Sequence, residues 1–193
     1  TMPADQTINE LVAFSASATA TDVDLPTNTL AFALVSGPSG LTVSPLGAIT
    51  WTPTEAQGPS VRKVQVKVTD NGTPALSVTN SFTLTVNEVN TAPVLTVPAD
   101  QTINELATFR ANATATDVDA PANTLTFALV SGPAGLTVSS GGAITWTPTE
   151  SQGPSNHVVT VQVTDNGSPN LSTTNNFTLT VNEVNLAPVL TLP

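Results

Sequence analysis

The stretch "VRKVQVKVTD" at 61–70 places Val61, Val64, Val66 and Val68 mostly on one side and Lys63, Gln65 and Lys67 on the other. That period of two is the mark of a strand with one buried and one wet face. Similar short runs, punctuated by Gly, Pro and Asn, recur along the whole chain. In the first half they predict strands near 6–11, 12–20, 30–35, 41–44, 47–52, 61–69 and 80–88. Seven short antiparallel strands in a unit of this size fit an immunoglobulin-like β-sandwich. Cysteine is absent, so the Cys/Trp/Cys pattern of antibody domains is missing.

The pattern then repeats. "PADQTINEL" at 3–11 returns at 98–106, "GLTVS" at 40–44 at 135–139, and "ITWTPTE" at 49–55 at 144–150, always 95 residues later. Without a gap, residues 1–98 and 96–193 share 75 identical pairs out of 98. The chain is therefore expected to be two copies of one domain, spanning 1–90 and 91–185, with 186–193 opening a further repeat of a longer array. "NEVNLAPVLTLP" at the end matches "NEVNTAPVLTVP" at 87–98, where the second copy begins.

Composition excludes several functions. Four Lys and Arg against fourteen Asp and Glu give a net charge of −10, which argues against nucleic acid and anionic membrane surfaces. No apolar run is long enough to span a membrane, and no charged segment followed by an apolar core opens the sequence as a signal peptide would. Without cysteine there are no disulfides and no thiolate metal sites. Catalytic readings find little support. The single histidine, His157, faces Arg62 in the other copy and is read as surface decoration on the wet side of a strand. Paired carboxylates alone do not make a glycosidase, which needs a cleft that aromatics usually rim, and the chain has two Trp, six Phe and no Tyr. Trp51 and Trp146, each in "ITWTPT", are read as core anchors in preference to sugar-stacking platforms. The protein is expected not to be an enzyme.

The acidic residues carry the candidate chemistry. All fourteen are paired between the copies, whereas none of the basic residues Arg62, Lys63, Lys67 and Arg110 is repeated. "ATDVDAPANTLTF", "TPTE" before a strand, "VQVTDNGSPNLS" and "VNEVNTAP" at the copy junction resemble, in that order, the calcium motifs of cadherin repeats. They are also similar to the dystroglycan-type cadherin-like and "putative immunoglobulin-like" repeats of large bacterial surface and secreted proteins. The resemblance runs through both copies. It implies an all-β fold of two tandem immunoglobulin/cadherin-like seven-stranded β-sandwiches in an extracellular or cell-surface adhesin or stalk, with neighbouring repeats as partners.

The resemblance also implies a ligand set for Ca2+ at the junction. Glu10 matches the glutamate near the family's first strand, Glu55 the acid of its Asp-Arg-Glu motif, and Glu88 and Asn90 the linker acid and asparagine. From the second copy, Asp117 and Asp119 match the Asp-x-Asp pair, Asn123 the asparagine that offers a backbone carbonyl, and Asp165 the aspartate ending the long strand. Calcium takes six to eight hard oxygen ligands, which such a set supplies. The sequence departs from the family pattern where Thr91 follows Asn90 in place of a further linker aspartate, and where Glu55 is the only acid of its motif. One or two ions are the expectation.

Simpler readings compete. "DNG" at 70–72 and 165–167 is a turn signal in its own right, and Asp22, Asp24, Asp117 and Asp119 can serve as turn residues. Asp5 and Asp100 fall outside the family pattern and are read as loop residues. An EF-hand does not fit, because "DVDAPANTLTFA" has Ala122 where that loop needs glycine and Ala128 where it needs glutamate. A module that binds carbohydrate or another protein is the alternative to a calcium-stiffened stalk.

Overall fold

The computed structural model describes residues 1–190; the last three residues of the expected 186–193 segment lie outside it. By contacts the chain divides into two compact units, Thr1–Val89 and Asn90–Pro193. The first contains β1 (Gln6–Asn9), β2 (Phe14–Ser17), β3 (Leu30–Ser36), β4 (Thr42–Val43), β5 (Ala48–Trp51), β6 (Ser60–Asp70) and β7 (Ser77–Asn87). These form a four-stranded sheet in the order β1-β7-β6-β3 and a three-stranded sheet in the order β2-β5-β4. All seven expected strands are present.

The long β6–β7 hairpin explains the core. Val64 and Val66 alternate inward beside Phe82, Leu84 and Val86, and meet Phe14, Ile49 and Trp51 from the other sheet. Val61 does not join them: it is 68% exposed. The strand period explains why, since position 61 shares its parity with Lys63, Gln65 and Lys67. Trp51 is buried, and its indole Nε1 donates to the Ser39 carbonyl at 3.1 Å. It is a core anchor with its polar handle satisfied.

One pairing departs from the antiparallel expectation. β1 runs parallel to β7, with Gln6 opposite Leu84 and Asn9 opposite Asn87. This brings the residues after β1 to the place where β7 ends. Asp5, read as a loop residue, has a structural task just ahead of β1: its Oδ1 accepts the Thr83 amide at 2.7 Å, as Asp100 accepts that of Thr178.

The second unit repeats the design with β8 (Val94–Thr96), β9 (Gln101–Asn104), β10 (Phe109–Asn112), β11 (Thr114–Thr116), β12 (Thr126–Ser131), β13 (Thr137–Val138), β14 (Ala143–Trp146), β15 (Ser155–Thr164) and β16 (Ser172–Asn182). Its sheets are β12-β15-β16-β9 and β10-β14-β13, with an added ribbon of β8 and β11. Leu95 on β8 is drawn into the core. His157 corrects another expectation. It shares parity with buried Val159 and Val161, so it points inward, half-buried. Its ring sets an edge against Trp146 at 5.1 Å, and its Nε2 lies 2.7 Å from Ser155 Oγ.

Candidate metal centres

Each unit carries a carboxylate triad at one end. In the first, the parallel β1–β7 pair sets the Glu10 amide on the Asn87 carbonyl at 3.1 Å. Leu11 then turns sharply in the left-handed region, with φ of 57°, and its amide donates to Pro53 at 2.9 Å. Glu55 opens a 3-10 turn, Glu55–Gln57, whose capping box pairs Thr54 with Gln57. Glu88 follows β7. The three segments converge so that a carboxylate oxygen from each of Glu10, Glu55 and Glu88 lies within 4.8 Å of the others.

Glu10 is only 1% exposed. Its Oε1 accepts the Val89 amide at 2.9 Å, while Oε2 is buried without a hydrogen-bond partner. Gly58 makes the room: its backbone is extended, at φ −102°, but a Cβ there would overlap Glu10 Oε2. The second unit reproduces the arrangement, with Glu150 and Glu183 exposed where Glu55 and Glu88 are half-buried. Glu105, Glu150 and Glu183 cluster within the same limit, Glu105 Oε1 accepts the Val184 amide at 2.9 Å, and Glu105 Oε2 is buried without a partner beside Gly153. Partial desolvation beside the triad, then the charges of Glu105 and Glu150, hold the Glu183 carboxyl above its ordinary range although its side chain is exposed.

Three carboxylates this close repel. At 4.8 Å each pair of full charges costs roughly 3 kcal/mol at an effective dielectric near 20. A buried carboxylate oxygen with no donor adds its own desolvation cost. A divalent cation with hard oxygen preference relieves both, so the triad fits calcium by charge and by donor type.

The second constellation lies at the other end of each sandwich, because the eleven-residue β6 runs from Ser60 beside the triad to Asp70, about 30 Å of strand. In the second unit it consists of Asn90, Asp117, Asp119, Asn123 and Asp165. The Asp119 amide donates to Asp117 Oδ1 at 3.1 Å. Asp119 accepts the Thr91 amide on both oxygens at 3.1 Å and Asn123 Nδ2 at 2.6 Å. Asn90 Nδ2 donates to Asp165 Oδ2 at 3.1 Å and to the Pro169 carbonyl at 2.9 Å, while Asn90 Oδ1 accepts from Asn123. Gly167 again makes room, since a Cβ would overlap the Asn90 side chain.

Burial raises the Asp165 pKa, but the Leu171 and Gly167 amides and the Asn90 side chain bind its charged form and leave it below the ordinary value. Asp119 and Asp165 are thus largely satisfied by the protein. Asp117 Oδ2 is buried and has no hydrogen-bond partner. That oxygen, beside Asp119, is of the hard type calcium takes, but among the described residues only the two glutamate triads bring three carboxylates within 4.8 Å of one another.

The first unit has Asp22, Asp24, Asn28 and Asp70 in matching places, with the same internal bonds: Asp24 amide to Asp22 Oδ1 at 2.9 Å, Asn28 Nδ2 to Asp24 Oδ2 at 3.1 Å, and Gly72 amide to Asp70 Oδ1 at 2.9 Å. In the 95-residue register Thr1 aligns with Thr96.

The eight residues expected from sequence therefore fall into two groups. Glu10, Glu55 and Glu88 meet in the first unit; Asn90, Asp117, Asp119, Asn123 and Asp165 meet in the second. The side-chain amide of Asn123 is committed to Asp119 and Asn90. Sequence reasoning missed Gly58, Gly153, Leu11, Leu106 and the Thr91 amide. Of these, only the repeated "QGPS" after each "TPTE" gave a visible signal.

Comparison with known proteins accords with this geometry. The profile of a family described as Putative Ig domain matches residues 1–87 and 92–182. No curated protein matches the sequence. Among solved structures, the fold is similar to PcdhgB3 EC1-4 (TM-score 0.64, 16% identity, 94% of this chain and 48% of that one). It is also similar to mouse cadherin-23 EC22-24 (0.60, 17%, 94% and 64%) and to protocadherin gamma B2 extracellular cadherin domains 3-6 (0.56, 17%, 95% and 52%). The chain spans about half the length of the protocadherins it resembles.

Proposed function

Because the chain belongs to the Putative Ig domain family, in two tandem copies, we propose that it is a non-enzymatic repeat segment of an extracellular adhesin or stalk, stiffened by calcium at the inter-repeat junction. The observation that carries this reading is the Glu10–Glu55–Glu88 triad, where three carboxylates crowd within 4.8 Å around a buried oxygen that no donor satisfies. Calcium supplies the charge neutralisation, and carboxylate, amide and carbonyl oxygens supply its coordination.

The chain itself supports the mechanical part. Glu88 belongs to the triad of the first unit and Asn90 to the ligand group of the second, with only Val89 between them. Ions held by both groups fix each end of this short linker. Without calcium the carboxylates repel and the linker is free to hinge; binding selects the ordered state in proportion to its differential affinity. The alternative, a carbohydrate-binding module, loses its best platform, since Trp51 and Trp146 are buried with their indole nitrogens committed to backbone carbonyls.

Titration calorimetry tests the proposal. Calcium is expected to bind the two-unit chain with at least one site lost in Glu10→Gln and another weakened in Asp117→Asn. No heat of binding at millimolar calcium, or equal binding by both variants, would overturn it.

A further inference from the structure

The asparagines of the two "DNG" turns have no part in the candidate metal groups. Asn71 and Asn166 are the only asparagines of the chain that precede a glycine, and that dipeptide carries its own chemistry. The glycine nitrogen, which no neighbouring Cβ shields, can attack the asparagine Cγ. An N–C bond closes a cyclic imide, the amide proton passes to the departing nitrogen, and ammonia leaves. Water then opens the ring at either carbonyl, giving aspartate or, with the chain rerouted through the side chain, isoaspartate. Both side chains are exposed to water.

The fold restrains both reacting groups. The Gly72 amide donates to Asp70 Oδ1 at 2.9 Å, and the Gly167 amide to Asp165 Oδ1 at 2.9 Å. Imide formation removes this same hydrogen, so it cannot proceed while the bond stands. The electrophile is held as well: Asn71 Oδ1 accepts the Thr29 amide at 2.8 Å, and Asn166 Oδ1 the Thr124 amide at 2.6 Å. Each of these bonds ties the asparagine to a segment 42 positions earlier in the chain. The acceptors are themselves fixed, since Asp70 Oδ1 also takes the Leu76 amide and Asp165 Oδ1 the Leu171 amide, each at 3.0 Å. Around Gly167 there is no slack, because a Cβ there would overlap the Asn90 side chain.

Exposure invites the reaction and the hydrogen bonds oppose it. We propose that Asn71 and Asn166 are deamidation sites locked by their own turns, and that each local opening exposes its asparagine to irreversible conversion. The product does not fit back. Isoaspartate adds a methylene between the Asn166 Cα and the Gly167 nitrogen, so the Gly167 amide no longer meets Asp165 Oδ1 in the same turn, and the new carboxylate adds a charge next to Asp165. Opening is thereby recorded, copy by copy, as a permanent loss of the tie between this turn and Thr124. The lock consists of hydrogen bonds alone and does not depend on the calcium reading.

Peptide mass spectrometry on the full chain, incubated at neutral pH with chelator, reads the reaction by its mass gain, and isoaspartyl methyl transfer reads the rerouted product. In urea above the unfolding transition, Asn71 and Asn166 should convert ahead of every other asparagine. In native buffer both should slow at least tenfold. That factor should equal the hydrogen-exchange protection of the Gly72 and Gly167 amides to within about threefold, because exchange and ring closure need the same N–H released. Thr124→Pro, which removes the donor to Asn166, should speed Asn166 and leave Asn71 as the control within the same molecule; Thr29→Pro should do the reverse. Native conversion as fast as in urea, slowing that does not follow the protection of these two amides, or earlier conversion of other asparagines in urea would overturn the proposal. So would a Thr124→Pro chain that keeps both its fold and its native rate at Asn166. If a proline variant unfolds its unit, the comparison of wild-type rates with protection still decides.

Discussion

Replacing Glu10 by glutamine removes one charge from the first triad while keeping shape and the acceptor for the Val89 amide. In the metal-free protein the charge loss abolishes two of the three pairwise repulsions. At the 4.8 Å limit of their separation two such pairs of full charges amount to roughly 7 kcal/mol at an effective dielectric near 20, before solvent screening. Glu55 and Glu88 are only half-buried, so water screens much of this, and the new amide must find a partner among the remaining carboxylates. The expected net is a stabilisation of about 1–2 kcal/mol for the first unit in chelator. With calcium the order reverses. The wild type gains about 2.7 kcal/mol at one hundred times its dissociation constant, and the variant gains little. Calorimetric scans in chelator and in calcium read both effects, with Glu105→Gln as the matching change in the second unit. Destabilisation of Glu10→Gln in chelator, or an unchanged calcium increment, would refute the idea that the triad is a frustrated cation site.

Three further outcomes follow from the geometry. Gly58→Ala keeps an allowed extended backbone but drives a methyl into Glu10 Oε2; calcium affinity should fall at least tenfold, and retained affinity in titration calorimetry would show that the carboxylate moves freely. Leu11→Gly relieves a left-handed φ at a side chain 61% exposed, so denaturant unfolding should show a gain of up to about 1 kcal/mol; a loss above that size would mean the leucine packs. Trp146→Ala should cost the second unit about 3–5 kcal/mol, and a cost below about 1 kcal/mol in urea unfolding would return the tryptophan to a surface role.

The fold was legible because strands announce themselves by parity and turns by Gly, Pro and Asn. The failures have the same source. Val61 was grouped with Val64 although it is out of phase, and His157 was set on the wet face although it is in phase with Val159. The parallel β1–β7 pair was not legible, since direction of pairing leaves no trace in a four-residue strand. The candidate ligands were legible as types and order, through the paired carboxylates and the junction motif. What they do locally was not. That Glu10 is buried follows from a long-range parallel pair and from a leucine in a left-handed turn, and neither is written in the residues near it. Asp5 and Asp100 are loop residues, as the sequence suggests, but their partners, the amides of Thr83 and Thr178, lie 78 positions away and leave no local signal.

The calcium-stiffened junction is tested most directly by the distribution of distances between the two units. The chain has no cysteine, so the pair Leu46→Cys and Val130→Cys, at exposed positions of the first and second unit, takes spin labels cleanly. Pulsed electron-electron resonance with calcium should give one narrow distance distribution. With chelator the distribution should broaden severalfold while circular dichroism stays unchanged, and Asp119→Ala should remain broad in both. Distributions of equal width with calcium, with chelator and in the variant would contradict a calcium-stiffened junction and leave these carboxylates as turn residues.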